Sequence, residues 1–196
     1  MNIEEIIANS NNVYMFGSSV YGNKTNISDT DFIVVSDYYG DTAIHIDNND
    51  FNIYSVKTFQ EKLDNNDIQA LECMFLDEKY IIKENIKFDF KIDYEKLKES
   101  VGKISSNSFV KCNKKLTVEK DYNPYIGKKS LWHSFRILMF GIQIVKYNKI
   151  IDYKEANYLF NKIMSMPDDW EEIKKEFKPK YNELKTKWRL ELKEKL

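Results

Sequence analysis

Cysteine is scarce in this sequence: Cys73 and Cys112 are the only two among 196 residues. They stand far apart, with no CxxC pair and no histidine at zinc-ligand spacing. That pattern excludes a disulfide framework and a structural zinc site and leaves two ordinary thiols. A surplus of one charge is also missing. Thirty Lys and Arg against 31 Asp and Glu give a net charge of −1, so no global field draws the chain toward nucleic acid or an anionic membrane, and any polyanion must be met by a local patch. No run approaches the ~20 apolar residues of a membrane span. The opening Met1-Asn2-Ile3-Glu4-Glu5 lacks the basic flank and apolar stretch of a signal peptide. A cytoplasmic protein with no membrane partner is expected. Internal repeats and low-complexity linkers are absent.

Apolar material is plentiful, at 42% hydrophobic and 14% aromatic residues. A chain of this length can bury one sizeable core or two small ones, and two lobes are expected, residues 1–82 and 83–196. In the first, Ile3, Ile6 and Ile7 fall at helical spacing, followed by a short buried strand Val13-Tyr14-Met15-Phe16 that stops at Gly17. A turn-rich stretch from Asn23 to Ser28 leads to the β-branched strand Asp31-Phe32-Ile33-Val34-Val35. Ala43 to Ile46 and Asp50 to Tyr54, joined through Asp47-Asn48-Asn49, predict a hairpin added to the same sheet. Ser55 reads as an N-cap, and Asn65-Asn66-Asp67 as the break between two helices. Beyond Lys83 the pattern is charged and irregular, with a helix over 94–101. Helices over 130–147, 153–163 and 168–192 then form a helical second lobe. The expected fold class is α+β, a mixed sheet flanked by helices followed by an α-helical lobe.

Two short segments carry chemistry. Gly17-Ser18-Ser19-Val20-Tyr21-Gly22 follows a strand and precedes a short helix, so its amides and serine hydroxyls can converge on an anion. Asp29 and Asp31 are two apart on an extended segment and project from one face. At ~4 Å and an effective dielectric near 20, two such charges repel by about 4 kcal/mol, which a cation or proton must offset. A hard divalent ion such as Mg2+, shared with triphosphate oxygens, does so. A polar turn with Ser28 or an aspartate capping loop amides accounts for the same residues one at a time. The conjunction of strand, Gly-Ser, ten residues, Asp-x-Asp and strand favours phosphoryl chemistry.

Phe16-Gly17-Ser18, ten residues, then Asp29-Thr30-Asp31-Phe32 resembles the signature of the DNA polymerase beta-like nucleotidyltransferase superfamily. The fuller Gly17-Ser18-x-x-Tyr21-Gly22 with Ser28-Asp29-x-Asp31 is similar to its small bacterial and phage-encoded members. The resemblance implies two Mg2+ ions, with Mn2+ as a substitute, and transfer of a nucleoside monophosphate from a nucleoside triphosphate to an acceptor with release of pyrophosphate. It assigns Gly17, Ser18 and Ser19 to phosphate, and Asp29 and Asp31 to metal. A third acidic residue on a later strand would help deprotonate the attacking hydroxyl. Asp50 and Asn52 share a strand face and either aligns with that position; Asp50 is preferred because an amide cannot act as a base. If Asn52 holds it, the alternative is a binding or antitoxin-like regulatory module. The acceptor stays open among a protein hydroxyl, an RNA 3′ end and a small molecule.

Lys129, His133 and Arg136 share one helix face at i, i+4 and i+7 and are further candidates for triphosphate charge. Lys24 in the loop is a weaker one. Glu72, set among apolar neighbours, calls for a cationic partner such as Arg136 if buried. His45 reads as a surface side chain on the hairpin. The many lysines of the last helix are balanced by glutamates, and its aromatics fall at core spacing, so a solvated face is expected there.

Overall fold

The computed structural model describes residues 2–25 and 28–196. Met1, and Asn26 and Ile27 in the expected turn before Ser28, lie outside the described residues. The chain divides into two compact units, the first ending at Ile92 and the second running from Asp93 to Leu196.

The first unit begins with helix α1 (Ile3–Ala8), started by Asn2, whose side chain accepts the Glu5 amide at 2.8 Å. Strand β1 (Asn12–Phe16), the one-turn helix α2 (Ser18–Tyr21) and strand β2 (Thr30–Val35) follow. Strands β3 (Thr42–Ile46) and β4 (Asn49–Tyr54) form the expected hairpin across a tight turn in which Asp47 takes a positive φ of 52°. Helix α3 (Val56–Asp64) starts at the expected Ser55 cap and α4 (Ile68–Met74) at Asp67, which accepts the amides of Gln69 and Ala70. A 3-10 turn over Glu78–Tyr80 leads into strand β5 (Ile81–Glu84). The five strands are ordered β3-β4-β2-β1-β5; β2 and β4 are parallel and the other neighbours antiparallel.

Alternation along the strands sorts the side chains between two faces. On one, Val13, Val34, Phe51 and Ile53 pack with Ile6 of α1, and Phe32 stacks on Phe51 at 4.9 Å. On the other, Tyr14 stacks on Phe59 of α3. The sequence-based boundary at residue 82 falls inside β5. Asn12 explains why the unit extends further: its buried amide accepts from the Asn85 and Ile86 amides and donates to the Ile86 carbonyl, tying down the chain after β5.

Glu72 of α4 is fully buried, as its apolar surroundings predict, and the Tyr21 hydroxyl of α2 donates to its Oε2 at 2.6 Å. Burial pushes the carboxyl well above its ordinary 4.5. Because the folded value exceeds the unfolded one, the native state binds the extra proton, and stability falls as pH rises from about 4.5 through the folded value. Glu72→Gln copies the neutral form. The difference between urea midpoints at pH 4.5 and about pH 8 should therefore be smaller in the variant than in the native protein.

The second unit is helical: α5 (Tyr94–Thr117), α6 (Pro124–Tyr147), α7 (Asn157–Ser165) and α8 (Trp170–Lys193). Asp93, Asn123 and Asp169 cap α5, α6 and α8. Helix α5 runs 16 residues beyond the expected end at Val101, 117 against 101. Gly141 lets three helices approach closely: a Cβ there would lie 3.0 Å from both Val101 and the Trp188 ring. The Ser105 hydroxyl donates to the Ser134 carbonyl at 2.8 Å and lies 2.9 Å from the Tyr181 hydroxyl, so this buried polar group is satisfied. Among the described residues no helix is long and apolar enough to cross a membrane.

Candidate active site

The register of the first unit's sheet assembles one row of residues from four strands. Phe16 of β1 lies opposite Asp31 of β2, Asp31 beside Asp50 of β4, and Asp50 opposite His45 of β3. Residues paired in this way share a face, which is the Tyr14 side of the sheet, away from the Ile6 cluster. Asn52 shares that face but pairs with Ile33, further along β2. Asp50, and not Asn52, therefore stands next to Asp31. Asp29 comes just before β2 begins and is exposed.

Gly17 ends this row on the β1 side. It adopts φ 66° and ψ −149°, a region only glycine enters readily. A Cβ built on it would lie 1.8 Å from Asp31 Oδ2. The missing side chain is thus the space that the Asp31 carboxylate occupies. In the turn that follows, the Gly17 carbonyl accepts from the amides of Val20 and Tyr21. Ser18 is buried, and Ser19 Oγ is buried with no hydrogen-bond partner among the described residues. A buried hydroxyl without a protein partner is the kind of group that a phosphate oxygen or water satisfies.

His45 is exposed on the hairpin, as expected, but it has a partner that was not foreseen. Its Nδ1 lies 2.7 Å from Asp50 Oδ1. The hydrogen bond to Asp50 is the main cause of a pKa above the ordinary 6.5, with the charges of Asp50 and Asp29 adding to it. The signal was present in the hairpin: a two-residue turn between Ile46 and Asn49 places 45 opposite 50. Lys24 donates to Thr30 Oγ1 at 2.7 Å. With Thr25, Ser28, Thr30, Asn48 and Asn49 it lines a polar cavity of 520 Å³. Thr30 and Asn49 alternate with Asp31 and Asp50, so these two lining side chains belong to the opposite strand face.

Among the described residues, no group of three or more His, Cys, Asp or Glu side chains is gathered closely enough to hold a metal ion. Asp50 is turned to His45 instead. The donors in the row are nonetheless hard carboxylate oxygens of the type a Mg2+ ion takes, and the notch left by Gly17 seats one of them.

Lys129, His133 and Arg136 belong to the second unit. They share α6, as expected, and Arg136 is buried. It is 2% exposed, with its guanidinium 5.4 Å from the Trp132 ring centroid and 5.1 Å from that of Phe140. Its Nη2 lies 2.6 Å from His133 Nδ1, and since a guanidinium only donates, that nitrogen accepts. Burial, helped by the charges of Lys111 and Lys129, pulls the His133 pKa down to about 4. His133 is consequently neutral at pH 7.

Comparison of the chain with protein-family models, curated proteins and solved structures finds no match.

Proposed function

We propose that the first unit is a Mg2+-dependent nucleotidyltransferase, moving a nucleoside monophosphate from a nucleoside triphosphate to an acceptor with release of pyrophosphate. The observation that carries this reading is the cross-strand pairing of Asp31 with Asp50, with Gly17 backed against Asp31. Asp31 and Asp50, with Asp29 alongside, would hold the metal, which supplies charge neutralisation for the triphosphate and the departing pyrophosphate. Ser18, Ser19 and the loop amides receive phosphate oxygens. The acceptor hydroxyl attacks the α-phosphorus, the bond to the β-phosphate oxygen breaks, and Asp50 takes the hydroxyl proton. His45, hydrogen-bonded to Asp50, fixes the orientation of that carboxylate.

The full chain, incubated with Mg2+ and labelled nucleoside triphosphates over protein, RNA and small-molecule acceptors, is expected to release pyrophosphate. The double variant Asp29→Asn/Asp31→Asn should lower the rate by about a hundredfold to ten-thousandfold; undiminished turnover would sink the proposal. A readout independent of turnover comes from His45. Its raised pKa contributes stability below about 6.5 that is lost as pH rises through the folded value. NMR titration should place its pKa above 6.5, and Asp50→Asn should lower it. Mg2+, by neutralising the neighbouring carboxylates, should lower it as well.

A second reading, a nucleotide-binding module without turnover, is favoured by the engagement of Asp50 with His45. It predicts Mg2+-dependent triphosphate binding by calorimetry with no pyrophosphate release against any acceptor.

A further inference from the structure

The helical unit contains a cavity of 510 Å³ between α6, α7 and α8 that none of the chemistry above uses. Its lining includes Phe135 and Met139 of α6, Leu159 of α7 and Leu184 of α8. A hollow of this size with an apolar lining is in the range that holds small organic molecules. Tyr158, 70% exposed, stands on its lining with the ring uncovered, and an exposed aromatic beside an apolar hollow offers a stacking surface.

Charge selects the occupant further. Lys162, Lys180 and Lys187 all line the cavity, together with Glu183. Lys162 and Lys180 converge on one oxygen of Glu176, bridging α7 to α8. Counting that carboxylate, three positive charges face two negative ones, a surplus of one. Lys187 is exposed and makes no ion pair among the described residues, so its ammonium is available to a ligand at no cost in broken contacts.

We infer that this cavity is a binding site for a small aromatic monoanion, its ring system seated on Phe135, Met139, Leu159 and Leu184 and its anionic group at the lysines. The site lies wholly within the second unit and goes beyond the nucleotidyltransferase reading: it requires neither metal nor nucleotide.

The test uses two dyes with the same fused aromatic body, 8-anilinonaphthalene-1-sulfonate and the uncharged N-phenyl-1-naphthylamine, titrated fluorimetrically into the full chain without Mg2+ or nucleotide. The sulfonate should bind saturably at one per chain and at least about tenfold more tightly than the neutral dye, the scale of one charge-assisted contact. Lys187→Glu turns the surplus of one positive charge into one negative. It should weaken sulfonate binding about tenfold or more and leave the neutral dye within about twofold. Lys174→Glu makes the same change in net charge on α8 at a residue outside the cavity, paired with Glu171, and should change neither. Absence of saturable sulfonate binding, equal affinity for the two dyes, or equal losses in the two lysine variants would overturn the inference. Each of these outcomes leaves the pyrophosphate assay on the first unit untouched.

Discussion

Gly17→Ala is expected to be among the most damaging single-methyl changes in the first unit. Its backbone, at φ 66° and ψ −149°, lies in a region that alanine enters at a cost of about 1–3 kcal/mol. The added carbon would also lie 1.8 Å from Asp31 Oδ2, so Asp31 must leave its place beside Asp50 or β1 must move. Overpacking of this kind adds roughly 1–3 kcal/mol. Gly40 provides the control. It too has φ 66°, but a Cβ there meets nothing within 4 Å, so Gly40→Ala carries a positive-φ cost without a clash. Urea midpoints should rank native protein, Gly40→Ala and Gly17→Ala in falling stability. Gly17→Ala should also lose Mg2+-dependent turnover at temperatures where it remains folded. Equal midpoints for the two variants would mean that the Gly17 notch does not seat the carboxylate.

The second large effect belongs to Arg136. Its guanidinium is buried against Trp132 and Phe140 and donates to His133. Arg136→Ala removes the packing of a long side chain and strips His133 Nδ1 of its donor. Together these should destabilise the helical unit by about 3–5 kcal/mol. Arg136→Met keeps much of the volume, so its loss should be smaller where packing dominates. Chemical denaturation followed by tryptophan fluorescence distinguishes the two, since Trp132 lies next to the replaced group. If methionine proves as damaging as alanine, the charge and its hydrogen bond, more than the volume, hold this part of the fold.

The elements around the candidate site were legible because their signals are local. A β-branched run, a serine cap and a tight hairpin turn declare β2, β3, β4 and the start of α3 within a few residues each. The pairing of Asp31 with Asp50 was not, because it depends on which strands become neighbours: β2 pairs in parallel with β4, skipping β3 in sequence. His45 is solvated as its polar strand face suggests, but its bond to Asp50 was missed, because that shows only when the residue across the hairpin is considered. In the helical unit, α5 was cut short at Val101 because its buried stripe passes through Ser105 and Cys112. Ser105 is buried through hydrogen bonds to Ser134 and near Tyr181, a partnership that apolar periodicity cannot register. Spacing likewise put Lys129, His133 and Arg136 on one side of a helix, but could not say that Arg136 is buried.

The position of β5 also bears on how the first unit is made. Strand β1 is complete at Phe16, yet its outer partner arrives only with Ile81–Glu84. A nascent chain that has emerged through Tyr54 can pair β1 to β2 to β4 to β3, but it carries β1 with one side of unsatisfied amides and carbonyls, the type of edge that recruits other strands. The Asn12 amide, reaching across to residues 85 and 86, acts as a latch that closes only when the last of these has left the ribosome. Pausing of synthesis between residues 55 and 80 would prolong that open interval, and a chain released there would be prone to aggregate through β1.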